Sequence, residues 1–306
     1  MTCLKRIIVF VLALVLLVGC AIDKPADPPG KTDEGLGLIP RSRESSPGPH
    51  RLPAELKVHF LDVGQGDSIL IQFPDGRNML VDAGGNDDAS KVVSYLKKTD
   101  VKRLDYLIGT HPHEDHIGSL DTVINSFQIG EVIMPKVTHT TRTFRDVLEA
   151  IDRKGLQIRP AKAGVSIMED GLLAARILAP CREDYDELND YSAVIMLTCG
   201  EVSFLLSGDA EALSEKDILA SGVAVKADVL KVGHHGSNSS TSAAFLKAVG
   251  PSYAVISVGA ENDYGHPHQV TLDRLRKQGV EVLRTDRQGT VLFTTDGKEL
   301  SFTTEK

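Results

Sequence analysis

The chain has 306 residues and no tryptophan, and its 34 Lys and Arg against 42 Asp and Glu give a formal net charge of −8. That length supports one large domain, or two small ones, with a proper core. The acidic balance excludes a protein whose main task is coating nucleic acid, which needs a basic footprint, but not an enzyme that grips a few phosphates through metal ions.

Residues 1–20, MTCLKRIIVFVLALVLLVGC, set Lys5 and Arg6 before an apolar run ending in Leu17-Val18-Gly19-Cys20. A basic segment, an apolar segment and a small-residue site make a secretory signal. The last four residues resemble the lipobox of bacterial lipoproteins, which implies that Cys20 is lipid-modified and becomes the first residue of the mature protein. An uncleaved anchor is the alternative, because the run approaches spanning length. Either reading puts the remainder on the extracytoplasmic face of a cell membrane, held there by its anchor. Residues 21–54 are rich in Pro, Gly, Ser and charge, lack apolar periodicity and read as a flexible linker. The folded domain is expected over residues 55–306. Of the four cysteines, Cys3 and Cys20 belong to the signal. Cys181 and Cys199 read as free thiols because a simple hairpin would put them at opposite ends, although an exported domain permits a disulfide.

Within the domain, LKVHFLDV, DSILIQF and NMLVDAG read as short strands, followed by a helix near Ser90–Lys97 and a strand, LDYLIG. THPHED then opens a helical stretch, IGSLDTVINSF. The second half repeats the style with strands ARILAP, AVIMLTC and VSFLLSGD, a helix from Ala210 to about Ser221, and ADVLKVGHHG. A helix near Ser242–Ala248, the strand YAVISVG, a helix around Gln269–Gln278 and the strands VEVLRT, GTVLFTT and ELSFTT complete it. Strand-rich halves with interspersed helices predict sheets covered by helices.

Five strands end in Asp or His just past their apolar run: at Asp62, at Asp82, at the His111–His116 cluster, at Asp209 and at His234-His235. A single strand-end Asp is commonly a turn former. Recurrence beside histidines points instead to one site at a sheet edge, where loops carry function. Imidazoles and carboxylates at this density suit divalent Zn, Mn or Fe. His111 and His113 alternate and can face one ion, Asp115 and His116 can face its neighbour, and Asp209 can bridge. Two metals about 3.5–4 Å apart activate a water and clamp the oxygens of a displacement.

The pattern His111-X-His113-X-Asp115-His116 resembles the defining motif of the metallo-β-lactamase fold superfamily. LDVGQGDSILI, LVDAGG, NDYSAVIML, FLLSGDA, ADVLKVGHHGSNSSTSAAFL and YGHPH further resemble the extracellular metallo-hydrolase domain of the ComEC/Rec2 competence proteins, over nearly all of residues 56 to 304. The resemblance implies an α+β fold, a four-layer αββα sandwich, with two divalent metal ions, Zn or Mn, at the sheet edges. It implies His111 and His113 as ligands of one metal, Asp115 and His116 as ligands of the second, Asp209 as the bridge and His234 as the last ligand, with His235 close behind. Asp62, Asp67 and Asp82 are implied as acids supporting the His loop. His266 and His268 are implied as a substrate-side pair that holds an anion or protonates a leaving group. Many superfamily members supply one more His before the bridging Asp. Here Asn189-Asp190-Tyr191-Ser192 stands at that place, and His139 is the only His in the interval. Oxygen from Asn189, Ser192 or water then completes the first metal's shell, which leans toward Mn.

The expected function is a metal-dependent hydrolase of phosphodiesters, most directly a nuclease acting on DNA and linked to DNA uptake, with Asp115, Asp209, His235, His266 and His268 as its catalytic groups. An ester, lactone or β-lactam hydrolase of the same fold is the alternative, and a non-catalytic tethered DNA-uptake module is the third. A flavin-linked di-iron oxidoreductase is disfavoured, because that group resembles HxExD whereas His113 holds the central position here.

Overall fold

The computed structural model describes residues 54–306; the segment read as a signal, Cys20 and the expected linker as far as residue 53 lie outside them. No helix among the described residues is long and apolar enough to cross a membrane.

The first sheet is built from β1 (Leu56–Phe60), β2 (Ile69–Gln72), β3 (Asn78–Val81), β4 (Arg103–Ile108), β5 (Gln128–Pro135) and β6 (Ile158–Ala161). The second takes β7 (Ser166–Asp170), β8 (Leu173–Ala179), β9 (Val194–Cys199), β10 (Val202–Leu206), β11 (Val229–Lys231), β12 (Tyr253–Ile256) and β13 (Glu281–Arg284). The chain then returns to the first sheet with β14 (Val291–Thr295) and β15 (Leu300–Thr304), giving the orders β15-β14-β1-β2-β3-β4-β5-β6 and β13-β12-β11-β10-β9-β8-β7.

Both faces of each sheet are buried, and the two-residue period of a strand sorts its side chains between them. Ile69, Ile71, Met79 and Val81 of the first sheet meet Phe204, Leu206 and Val255 of the second in one core between the sheets. The alternate residues Leu70 and Leu80 pack outward under the helices α1 (Ala89–Lys98), α3 (Leu120–Ser126) and α4 (Arg142–Arg153). Leu205, Leu230 and Ala254 pack outward under α5 (Ala212–Ala220), α6 (Ala243–Val249) and α7 (Gln269–Lys277). Three cores between four layers make the expected αββα sandwich.

The helical stretch expected after the His cluster is two short helices, α2 (Glu114–Ile117) and α3, parted at Gly118-Ser119. The sequence reading passed over α4, whose Phe144, Val147, Ala150 and Ile151 repeat at helical spacing and are buried, and whose N-cap Thr141 accepts from the Phe144 N–H. A final one-turn helix, α8 (Thr285–Gln288), leads into β14. In the β8–β9 ladder Cys199 lies opposite Leu173, while Cys181 follows the other end, and both thiols are free.

One core residue makes stability depend on pH. His59 on β1 is buried; its Nδ1 lies 2.9 Å from the Tyr95 hydroxyl and its Nε2 has no partner. Burial lowers its pKa from 6.5 to about 4. Between those values the unfolded chain binds a proton that the folded chain refuses, so stability is lost as pH falls through the window. From pH 7 to pH 5 the loss from this residue is about 2 kcal/mol. Urea unfolding of wild type and His59→Gln at both pH values is expected to show a correspondingly flatter dependence in the variant; parallel curves would refute the assignment.

Candidate metal centre

β3, β4 and β5 run parallel in one sheet and β10, β11 and β12 run parallel in the other. Loops after β3, β4, β10 and β11 therefore gather at one edge of the sandwich, carrying Asp82, the His111–His116 segment, Asp209 and His234-His235. The loop between β1 and β2 closes over them. Gly66 sits at φ +150 with a Cβ position that would collide with the Asp115 carbonyl oxygen, so only glycine lets the loop lie there. The Asp67 N–H then donates to that same carbonyl at 3.2 Å.

Asp82 is fully buried at φ 57. Its Oδ1 accepts from the Thr110 N–H at 2.8 Å, and its Oδ2 from the Thr110 hydroxyl at 2.7 Å and from His116 Nδ1 at 2.8 Å. With Nδ1–H committed to Asp82, His116 presents the lone pair of Nε2 to Asp209 Oδ1 at 3.2 Å, and neither of those buried atoms has a hydrogen bond. His235 is arranged likewise. Its Nδ1–H donates to the Ser257 carbonyl at 2.9 Å, and its Nε2 faces Asp115 Oδ2 at 3.2 Å and Asp209 Oδ2 at 3.5 Å. The ligand atoms of Asp115, His116, Asp209 and His235 all lie within 4.8 Å of one another. Acceptors converging on one point in a buried place need a cation. The two nitrogens and two carboxylates fit a divalent metal.

A second group lies beside the first. His111 Nε2 is 2.9 Å from His113 Nδ1 and 3.9 Å from Asp209 Oδ2, the same oxygen that lies 3.5 Å from His235, so Asp209 stands between the two groups. Burial, then the neighbouring His116, holds His111 well below the usual histidine range, so its ring is neutral and able to ligate. Burial opposes charge on Asp209, but His116, His235 and His111 outweigh it and keep the carboxylate well below its ordinary range. Burial also opposes charge on His116, and Asp209, Asp115 and Asp82 overcome that, raising it well above. A metal therefore competes with protons for these nitrogens.

The groups behind the centre differ in part from expectation. Asp67 faces His235 Nδ1 at 3.5 Å and His116 Nδ1 at 3.9 Å, and accepts an ion pair from the buried Lys231 at 2.7 Å. Asp62 does not reach the His loop: its carboxylate takes the Gly64 N–H and Lys306 Nζ, because the chain has turned away toward β14 by that point. Both members of the histidine pair approach Asp209, and His235 is the one that also joins Asp115. His234 turns its Nδ1 to Glu211 Oε1 at 3.0 Å, with its Nε2 3.8 Å from Asp209 Oδ2. Both residues occupy left-handed backbone (φ 47 and φ 51), which sends the two rings to different partners.

Ser192 and Asn189 both adjoin the ligand groups, and Asn189 Oδ1 is buried with no hydrogen-bond partner among the described residues, so that oxygen is open to a metal. The Ser192 hydroxyl accepts from the Asp209 N–H and touches His111 Nδ1, while Asn189 Nδ2 donates to Glu211. His266 lines the cavity, and burial with its neighbours His234, His235 and His268 lowers it to about 4, so it is neutral rather than cationic near pH 7. His268 is the N-cap residue of α7; its Nδ1 accepts from the Asn238 N–H while its ring stays edge-on to that of His266 at 4.9 Å.

The cavity over the centre measures about 550 Å³ and includes Gln65, His139 and Tyr264, to none of which the sequence assigned a role in the site. His139 bonds Thr141 through Nδ1 and brings its ring within 6.1 Å of that of His113. Glu211 and Lys231 were also missed, since a carboxylate after GDA and a lysine ending a strand carry no signal alone.

Asp82 fixes the tautomer of His116, and losing such a partner costs about 10–100-fold in metal affinity. Asp82→Asn is expected to show that loss in a competition titration against a chelating dye. Unchanged affinity in a folded variant would overturn the role.

The sequence profile of the metallo-beta-lactamase superfamily matches residues 61–260. ComE operon protein 3 of Bacillus subtilis (strain 168) is 33% identical over 259 residues, covering 79% of this chain and 33% of that protein. Competence protein ComA of Neisseria gonorrhoeae is 31% identical over 271 residues, covering 85% of this chain and 36% of that protein. The chain thus spans about a third of the length of these curated relatives. Among solved structures, CmlA, a diiron beta-hydroxylase from Streptomyces venezuelae, superposes with a TM-score of 0.50 at 16% identity over 76% of this chain and 53% of its own, a likeness of fold alone. The profile match over most of the domain, on a four-layer sandwich with these ligand groups at its edge, means that the chain belongs to the metallo-beta-lactamase superfamily.

Proposed function

We propose that this protein is a metal-dependent phosphodiesterase that cleaves DNA on the extracytoplasmic face of a membrane, tethered through Cys20. The observation that carries the catalytic reading is Asp209, a buried carboxylate with one oxygen facing His116 Nε2 and the other lying between His235 Nε2 and His111 Nε2, so that it adjoins both groups of ligand atoms. A pair of divalent ions, Zn or Mn, supplies charge to stabilise the phosphoryl oxygens and lowers the pKa of an attacking water. The protein's part is orientation. Asp82 and the Ser257 carbonyl hold His116 and His235 by Nδ1 so that Nε2 faces inward. His266 offers a neutral ring with an unpartnered Nδ1 on the substrate side.

DNA is favoured by the names of two relatives, Competence protein ComA of Neisseria gonorrhoeae and Recombination protein 2 of Haemophilus influenzae, which refer to competence and to recombination. A recess of about 640 Å³ lined by Lys136, Arg159, Lys162 and Arg182, with Glu183 its only acidic residue, is suited to a polyanion.

The test is hydrolysis by the purified full chain of single-stranded DNA, double-stranded DNA and bis-p-nitrophenyl phosphate, with Mn and Zn separately, beside p-nitrophenyl acetate and a chromogenic β-lactam. Metal-dependent cleavage of DNA and the small diester, absent in His113→Ala, is expected. Turnover of the ester or lactam alone would move the reading to acyl hydrolysis. Cleavage of only the small diester would keep the chemistry and change the polymer.

A further inference from the structure

The rings over the metal centre form a column. Tyr264 lies on His266 with 22° between planes and centroids 5.6 Å apart, and His266 lies on the metal-facing His235 with 30° and 6.4 Å. The outer end of that column is open: Tyr264 is 66% exposed, more than any other exposed large hydrophobic residue described. Yet it lines the same cavity as Asp115 and Asp209. Its loop is pinned, since Asn262 accepts from the His266 N–H and donates to the carbonyls of His266 and Gly259. No Lys or Arg lines this cavity. Apart from metal ions, nothing in it grips a strand by charge, and the chain as a whole is acidic.

We propose that Tyr264 is the stacking platform for the nucleobase beside the phosphodiester held at the metal centre. This rests on the phosphodiesterase reading and specifies its substrate as a nucleic acid with accessible, unpaired bases. A flat ring accepts any base, because every base has a π-face, so the grip is tolerant of sequence. Its position at the end of a fixed column sets the base at a constant distance from Asp209, where the neighbouring phosphate enters between the ligand groups.

The experiment is fluorescence anisotropy with a labelled oligothymidylate and an abasic strand of equal length and charge, using the full chain with Ca²⁺ in place of the reactive metal. Wild type is expected to bind the oligothymidylate about tenfold more tightly than the abasic strand. Tyr264→Ala is expected to lose that preference while binding the abasic strand unchanged, and Tyr264→Phe to keep it. A preference that survives in Tyr264→Ala overturns the assignment. Two strands that bind alike and are both cleaved with Mn also overturn it and leave the phosphodiesterase reading standing. If neither strand is bound or cleaved, both readings fall together.

Discussion

Replacing Asp209 by asparagine is expected to abolish metal binding at both ligand groups and to lower diester hydrolysis by roughly 10³-fold or more. The argument is geometric and electrostatic together. One Asp209 oxygen lies 3.2 Å from His116 Nε2; the other lies 3.5 Å from His235 Nε2 and 3.9 Å from His111 Nε2. An amide keeps one acceptor and turns a donor toward the remaining nitrogens, so one group loses its ligand and both lose the negative charge. The backbone would not move, because the Asp209 N–H is held by the Ser192 hydroxyl whatever the side chain. Metal content after dialysis and turnover of bis-p-nitrophenyl phosphate, with circular dichroism to confirm the fold, read the two effects separately. An asparagine variant that retained two ions per chain would show that Asp209 does not serve both groups.

The sandwich and the edge that bears the centre were legible because both rest on local signals. Alternating runs such as DSILIQF and VSFLLSGD name their strands, and each Asp or His at a strand end inherits its place from the sheet. What failed within the site was whatever needs a backbone angle or a partner from the other half of the chain, and outside it β5, β6 and β7 were passed over. Which of His234 and His235 also reaches Asp115 depends on two consecutive left-handed residues, and no residue pattern announces those. Asp62 and Asp67 both sit in LDVGQGDS, but the turn through Gly64 and Gly66 sends one toward Lys306 and the other under the ligands. Tyr264 opens the YGHPH segment in the sequence without a role of its own, and only the fold stacks it on His266. Helix α4 is a different failure, since its apolar spacing was there to be read.

Lys231 carries the largest expected effect on stability. Strand alternation along β11 puts Val229 and Lys231 on the face between the sheets, where the other neighbours are apolar. A lysine is tolerated there because Asp67 lies 2.7 Å from its ammonium and the Val232 carbonyl accepts from it at 2.9 Å. Both partners are fully or nearly fully buried. Removing Lys231 leaves the buried Asp67 carboxylate with only the rings of His116 and His235 near it, and breaking such a buried pair costs about 3–5 kcal/mol. For a domain of this size Lys231→Met should lower the melting temperature by about 10 °C. Asp67→Asn combined with Lys231→Met removes both charges, so the double variant is expected to recover much of that loss, a coupling that a mutant cycle reads directly. Melting in the presence of chelator keeps metal affinity out of the comparison, which matters because Asp67 also faces His116 and His235. If Lys231→Met melts where wild type does, the pair contributes nothing to the fold. Its place under the ligands would then answer to the metal centre alone, where a fixed positive charge behind Asp67 keeps that carboxylate from competing with Asp209 for the ions.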